Sequence, residues 1–170
     1  MRTRVTSWWM VVALASVAWA CADDDDSAAF EANKALHRQV FEAVSRGDMA
    51  FIDQTLSPDF VYHGAAGQHL DLAAAREMIG GYATMFPGMS FQFAAQVAEG
   101  EFVASRFTVT GTHSGDTPGL PATGKTLSVT GISIIRIVGG LIVEEWENFD
   151  ELNMLRQLGV IAEPQEEPEM

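Results

Sequence analysis

Three residues have the types and positions that proton-transfer chemistry needs: Asp150, His63 and His113. Asp150 follows the strand-like run Leu141–Phe149 and lies at the end of a face that is part apolar. A carboxylate sheltered there has a raised pKa and can act as a general base or acid near neutral pH. The same residue stands just before Glu151, where it can cap a helix instead. Both readings stand, and a tightly bonded cap makes a poor base. His63 ends the aromatic and β-branched run Phe60–Val61–Tyr62–His63, and His113 ends a longer run ahead of a loop. Strand ends facing loops often carry reactive groups, and histidine titrates near neutral pH. The plainer reading of each is a core-edge histidine with one hydrogen bond. His37 and His69 have no such placement and receive no assignment.

Other chemistries find no support. The four histidines are scattered, without a His-x-His pair or a His-Glu-x-x-His motif, and Cys21 is the only cysteine, so no metal site is expected. Gly64–Gly67 lacks the Lys and Ser/Thr that complete a phosphate-binding loop. No Gly-x-Ser-x-Gly elbow is present. The formal charge of −13 opposes nucleic-acid phosphates and anionic head groups, so nucleic acid is not an expected partner.

The elements that must position these residues follow from periodicity. Phe30–Arg46 reads as an amphipathic helix, with Leu36, Val40 and Val44 four apart and Gly47 ending it. Asp48 caps a short helix over Met49–Leu56, and Pro58 closes that segment. Asp71–Phe86 reads as a third helix, with Leu72, Ala75 and Ile79 on one face and Gly80–Gly81 inside it. Strands are predicted over Phe60–His63, Ser90–Val97, Phe102–His113, Lys125–Val138 and Leu141–Phe149. A last helix covers Glu151–Leu158. Helices first and a run of strands afterwards indicate an α+β fold, with helices on one face of a curved antiparallel sheet that cups a cavity.

Gly139–Gly140 is a two-residue hairpin signal and sets a register. With Val138 opposite Leu141 and the ladder unbroken, one face carries Gly131, Ser133, Ile135 and Ile137 with Ile142, Glu144, Trp146, Asn148 and Asp150. The other face carries Glu145, Glu147 and Phe149. Small residues opposite polar and aromatic ones suit a small-molecule pocket. On this register Trp146, Asn148, Ile135 and Ile142 are the expected substrate-binding residues, with Asp150 at the end of the same face.

The N-terminus has the form of an export signal. Arg2 and Arg4 precede an uncharged stretch of 13 residues, Trp8–Ala20, which is too short to span a bilayer comfortably. Ala18–Trp19–Ala20 supplies small residues for cleavage, and Cys21 follows. This resembles a bacterial lipobox, with Ala18 in the usual leucine position. The expected organisation is a signal peptide over 1–20, lipid attachment at Cys21 with an acidic tether over 21–28, one domain over 29–161 and a disordered acidic tail over 162–170. The mature protein would be an exported lipoprotein facing the periplasm or cell exterior, touching the membrane only through its lipid. Plain secretion after Ala20 and an uncleaved anchor are the alternatives. A single cysteine permits no intramolecular disulfide.

A longer set of motifs carries a family resemblance. It comprises Asn33–Lys34–Ala35–Leu36 with Gly47–Asp48, Pro58–Asp59–Phe60–Val61–Tyr62–His63, and Gly111–Thr112–His113–Ser114–Gly115. It continues with Gly119–Leu120–Pro121–Ala122–Thr123–Gly124, Gly140–Leu141–Ile142–Val143–Glu144–Glu145–Trp146, Asp150, and Leu155–Arg156–Gln157–Leu158–Gly159. In that order, across about residues 30–160, they resemble a SnoaL-like polyketide cyclase (ester cyclase) of the nuclear-transport-factor-2-like superfamily. The resemblance implies a cone-shaped α+β barrel with a deep pocket, often dimeric or tetrameric, and a homodimer is expected. It also implies intramolecular aldol closure without metal or organic cofactor, in which an acidic residue removes a proton beside a carbonyl. Asp150 best matches that acid, and His63 and His113 match recurring histidines. Tyr62 replaces the usual aspartate before the first motif histidine.

Two functions follow as expectations. One is a cofactor-free cyclase, isomerase or hydrolase acting on a small hydrophobic carbonyl or ester. The other is a lipid-anchored, non-catalytic binder of a small hydrophobic ligand, with Asp150 only a cap.

Overall fold

The computed structural model describes residues 22–116 and 120–162. The signal peptide, Cys21 and nearly all of the acidic C-terminal tail lie outside these residues. The elements run α1 (Ala22–Arg46), α2 (Met49–Thr55), β1 (Leu56–His63), a 3-10 turn at Ala65–Gly67, β2 (His69–Asp71) and α3 (Leu72–Met85). They continue β3 (Ser90–Glu99), β4 (Phe102–Thr112), β5 (Thr126–Val138), β6 (Leu141–Phe149) and α4 (Glu151–Leu158). The α+β architecture is as expected, with a curved six-stranded sheet that does not close.

Three helices start in the same way. Asp48, Asp71 and Asp150 each accept the backbone N–H three residues on, from Phe51, Ala74 and Asn153, at 3.1, 2.9 and 3.1 Å. Such caps satisfy an orphan donor of the first turn. The first helix differs from expectation, because α1 begins at Ala22 and carries the segment read as a tether into the helix. Acidic residues favour a helix N-terminus, which is consistent with that extension.

The sheet order is β2-β1-β6-β5-β4-β3. All neighbours are antiparallel except β1 and β6, which run parallel and so depart from the expected antiparallel sheet. No hairpin joins those two strands, so parallel pairing costs no tight turn. The strand also starts earlier than expected, passing through Pro58. Its register shifts between Leu56 and Val61, and an irregularity there is where a strand tolerates a residue without an N–H.

The second departure decides the site. Val138 pairs with Leu141 and Ile137 with Ile142, as the turn requires. A bulge then intervenes, and the ladder resumes as Arg136↔Glu144, Ile134↔Trp146, Ser133↔Glu147, Ile132↔Asn148 and Gly131↔Phe149. One extra residue in β6 reverses every later side chain, because strand side chains alternate with period two. Glu145, Glu147 and Phe149 therefore turn to the concave face. Glu144, Trp146 and Asn148 turn to the convex one, which corrects the expected register.

The core lies between the concave face and the helices. Ile52, Phe60, Val103, Ile135 and Ile142 are buried at one end, and Phe86, Leu127, Val129, Met154 and Leu158 at the other. The convex face leaves Phe102, Ile132, Ile134 and Val138 exposed. Among the described residues no helix is long and apolar enough to cross a membrane.

Candidate functional site

A cavity opens between the concave face and helices α1 and α3. It offers about 110 Å³ to the centres of water-sized molecules, several times what one ordered water needs. Its walls are mainly aliphatic and aromatic, with Phe41, Phe91, Phe107 and Phe149 among them. Four groups add polarity: Glu145, Glu147, Tyr62 and Tyr82. A wider, more polar recess beside α3 and the start of α4 adjoins the cavity, with Tyr62, Met78, Tyr82, Phe149 and Met154 lining both.

The local sequence shapes this wall. Gly131 presents no Cβ; one built there would lie 2.5 Å from the Phe107 ring and 2.9 Å from Phe149 Cβ. Ser133, opposite Glu147, is the next small residue on the same face of β5. Gly131 thus lets the Phe107 ring pack close against β5, and Ser133 is small where it faces Glu147.

The two glutamates are two residues apart on one strand, and both point inward. Each is half-buried by accessible surface yet enclosed by protein, as a group facing an internal cavity must be. Burial raises the pKa of both, because the charged form loses its hydration. For Glu147 the charge of Glu145 adds to burial, and together they lift it to about 8. A hydrogen bond from Tyr62 Oη to Glu147 Oε2, at 3.0 Å, opposes the rise in part. Glu145 Oε1 accepts the Ser133 hydroxyl at 2.6 Å, which also moderates its shift. Tyr82 is pushed up to about 12 by burial and by the charges of Glu147 and Glu151, so it remains a neutral donor. Tyr62 is raised for the same first reason. Both carboxyls thus hold their protons more tightly than usual, and Glu147, pushed up to about 8, is an acid that gives and takes a proton near neutral pH.

The residues expected from the sequence fall elsewhere. Asp150 caps α4 through Asn153, is exposed, and does not line the cavity. His63 lies on the convex face, where its Nε2 is 2.8 Å from Glu144 Oε1. Its ring stacks on Trp146, with centroids 5.1 Å apart and planes 5° from parallel. Trp146 and Asn148 share that outer face, so neither lines the cavity. Ile135 and Ile142 are buried in the adjoining core, likewise outside the lining. His113 is fully buried against Phe86. Its Nδ1 accepts the Thr123 N–H at 3.3 Å, which fastens the loop after β4, and its Nε2 has no partner among the described residues. The structure therefore does not bring Asp150, His63 and His113 together.

Sequence reading placed Glu145 and Glu147 on the opposite face and left His37 unassigned. The Glu145-x-Glu147 spacing was the available signal, since two acids two apart on a strand must share a face. Among the described residues no group of three metal-ligating side chains converges.

Comparison with known proteins gives a consistent result. The sequence model of the SnoaL-like polyketide cyclase family matches residues 34–158. No curated protein matches. A crystal structure of AclR, a proposed hydroxylase from Streptomyces galilaeus, is 29% identical with a TM-score of 0.72, covering 80% of this chain and 86% of its own. IdmH, a proposed polyketide cyclase from Streptomyces antibioticus, is 29% identical with a TM-score of 0.66, at 75% and 98% coverage. A SnoaL-like polyketide cyclase fold from Jannaschia sp. CCS1 has 18% identity and a TM-score of 0.70, at 78% and 95% coverage, and speaks to fold alone.

Proposed function

This chain belongs to the SnoaL-like polyketide cyclase family, and we propose that it performs cofactor-free acid–base chemistry on a small hydrophobic carbonyl compound. The observation that carries the proposal is the Glu145–Glu147 pair in an otherwise apolar cavity. Glu145, whose carboxylate accepts the Ser133 hydroxyl, is assigned as the base. Glu147, protonated at neutral pH, is the acid. Glu145 takes the proton from a carbon beside a carbonyl. The electron pair moves to the carbonyl oxygen, which receives a hydrogen bond or proton from Glu147, with Tyr82 a second neutral donor in the same wall. In a cyclisation the enol carbon attacks a second carbonyl of the same molecule, whose electron pair moves to its oxygen and takes the proton held by Glu145, while the enol oxygen returns its proton to Glu147. In an isomerisation Glu145 instead delivers its proton to another carbon as the enol oxygen returns its own to Glu147.

The test uses hydrophobic 1,3-dicarbonyl compounds, whose central C–H is acidified by both carbonyls. Their exchange with solvent deuterium is followed by NMR. The protein is expected to accelerate exchange, and Glu145→Gln to remove roughly two or more powers of ten of that acceleration. Acceleration that survives Glu145→Gln undiminished overturns the assignment.

Two further elements belong to this proposal. Arg2, Arg4, the apolar stretch 8–20 and Cys21 support export with lipid attachment at Cys21. Incorporation of labelled palmitate that disappears in Cys21→Ser tests it. The exposed Phe102, Ile132, Ile134 and Val138 on the convex face support a homodimer, which multi-angle light scattering or analytical ultracentrifugation reads directly.

A further inference from the structure

His37 is fully buried on α1, and both of its ring nitrogens are bonded to hydroxyls. Nε2 lies 3.0 Å from Ser133 Oγ and Nδ1 2.8 Å from Ser105 Oγ. Ser105 and Ser133 are directly opposite on β4 and β5, and Gln96 is opposite Ser105 on β3. The row Gln96–Ser105–Ser133–Glu147 thus crosses four strands of the concave face. Two of its members are serines, whose small size admits the imidazole from above.

Which way each hydrogen points can be deduced. Arg38 only donates, and Nη1 is bonded to Gln96 Oε1, so that atom is the amide oxygen. Gln96 Nε2 reaches the Lys34 carbonyl at 3.3 Å, and a carbonyl only accepts, which fixes the amide the same way. Gln96 Nε2 therefore donates to Ser105 Oγ at 2.8 Å. Ser133 gives its one hydrogen to Glu145 Oε1, so it accepts from His37 Nε2, which leaves the neutral imidazole to accept at Nδ1 from Ser105. His37 is neutral throughout the working range, because burial first and the charge of Arg38 second lower its pKa to about 3.

We infer that the chain Arg38–Gln96–Ser105–His37–Ser133 is a positioning device with one fixed hydrogen-bond direction, which locks His37 in its Nε2–H tautomer and makes Glu145 the ionised member of the pair. It rests on the acid–base reading of Glu145 and Glu147. Every donor along the chain points towards Glu145, and a guanidinium stands at the far end. Cooperative polarisation along such a chain favours negative charge at its terminus. The other groups facing Glu145 offer it no cation: Glu147 on its own strand, Tyr62 on β1 and Tyr82 on α3, with Glu151 of α4 behind Tyr82. Glu147 receives only the Tyr62 hydroxyl. The two carboxyls are thereby made unequal by residues that never touch the cavity.

Two measurements on the full chain test this. Nitrogen-15 NMR of the wild-type protein reads the His37 tautomer without any substitution. The Nε2–H form is expected, and the Nδ1–H form overturns the proposal. Carbon-detected NMR then follows the Glu145 carboxyl in Gln96→Leu and in Ser105→Ala. Each is expected to raise its proton affinity about three- to tenfold and to mix the His37 tautomers in a chain that remains folded. An unmoved Glu145 in folded variants overturns the proposal, since a merely structural contact would leave the titration alone. If tautomer and titration behave as expected while dicarbonyl exchange is absent, the positioning chain stands and the catalytic reading fails.

Discussion

The Tyr62 hydroxyl lies 3.0 Å from Glu147 Oε2, and the bond spans the one parallel strand pair among the described residues. It is a hydrogen bond that favours the charged form of a carboxyl otherwise driven to hold its proton. Removing it in Tyr62→Phe should raise the Glu147 pKa further. Any activity that needs protonated Glu147 should then persist to higher pH in the variant. A Glu147 titration that stays in place or moves down would show that the bond does not act as described.

The raised pKa of Glu147 also sets how stability depends on pH. The folded state binds this proton more tightly than the unfolded chain, whose value is about 4.5. Stability is therefore expected to fall as pH rises from about 4.5 to about 8, by at most about 1.4 kcal/mol per pH unit. Glu147→Gln carries no titrating group and should flatten that slope, gaining most on the wild type near pH 8. Urea unfolding at a series of pH values measures it. Identical slopes in the two proteins would contradict the burial of Glu147 as an acid.

Asp150→Ala is expected to cost about 1 kcal/mol through loss of the α4 cap and to leave catalysed dicarbonyl exchange unchanged under conditions where both proteins are folded. Loss of exchange in a folded Asp150→Ala protein would return the acid–base role to that residue.

Gly131→Ala places a Cβ within 2.5 Å of the Phe107 ring, at the floor of the cavity. The ring is fully buried and has no room to retreat cheaply. A destabilisation of roughly 1–3 kcal/mol is expected, as for other overpacked cores, and denaturant midpoints read it directly.

The helices were legible because their signals are local. Asp48 and Asp150 stand where caps belong, Gly159 takes the left-handed conformation past α4, and Gly139–Gly140 made the hairpin plain. The site was not legible for a physical reason of similar scale. A single bulge after Ile142 exchanges the two faces of β6, and both faces mix apolar with polar residues, so hydrophobic alternation could not reveal the slip. Trp146 and Asn148 were assigned inward for that reason, and Glu145 and Glu147 outward. His37 was passed over because its partners, Ser105 and Ser133, lie 68 and 96 residues away. Only the tertiary fold makes a buried histidine of it. The short strand at His69–Asp71 escaped notice because it is completed by pairing with β1 rather than by its own pattern.

The central claim, that Glu145 and Glu147 form an unequal acid–base pair in the cavity, is tested most directly by titrating their carboxyl carbons by NMR. No substrate is required. The account predicts that Glu147 holds its proton to about pH 8 and that Glu145 ionises first. Two carboxyls that both ionise in the ordinary range near 4.5, or Glu147 ionising before Glu145, would contradict it.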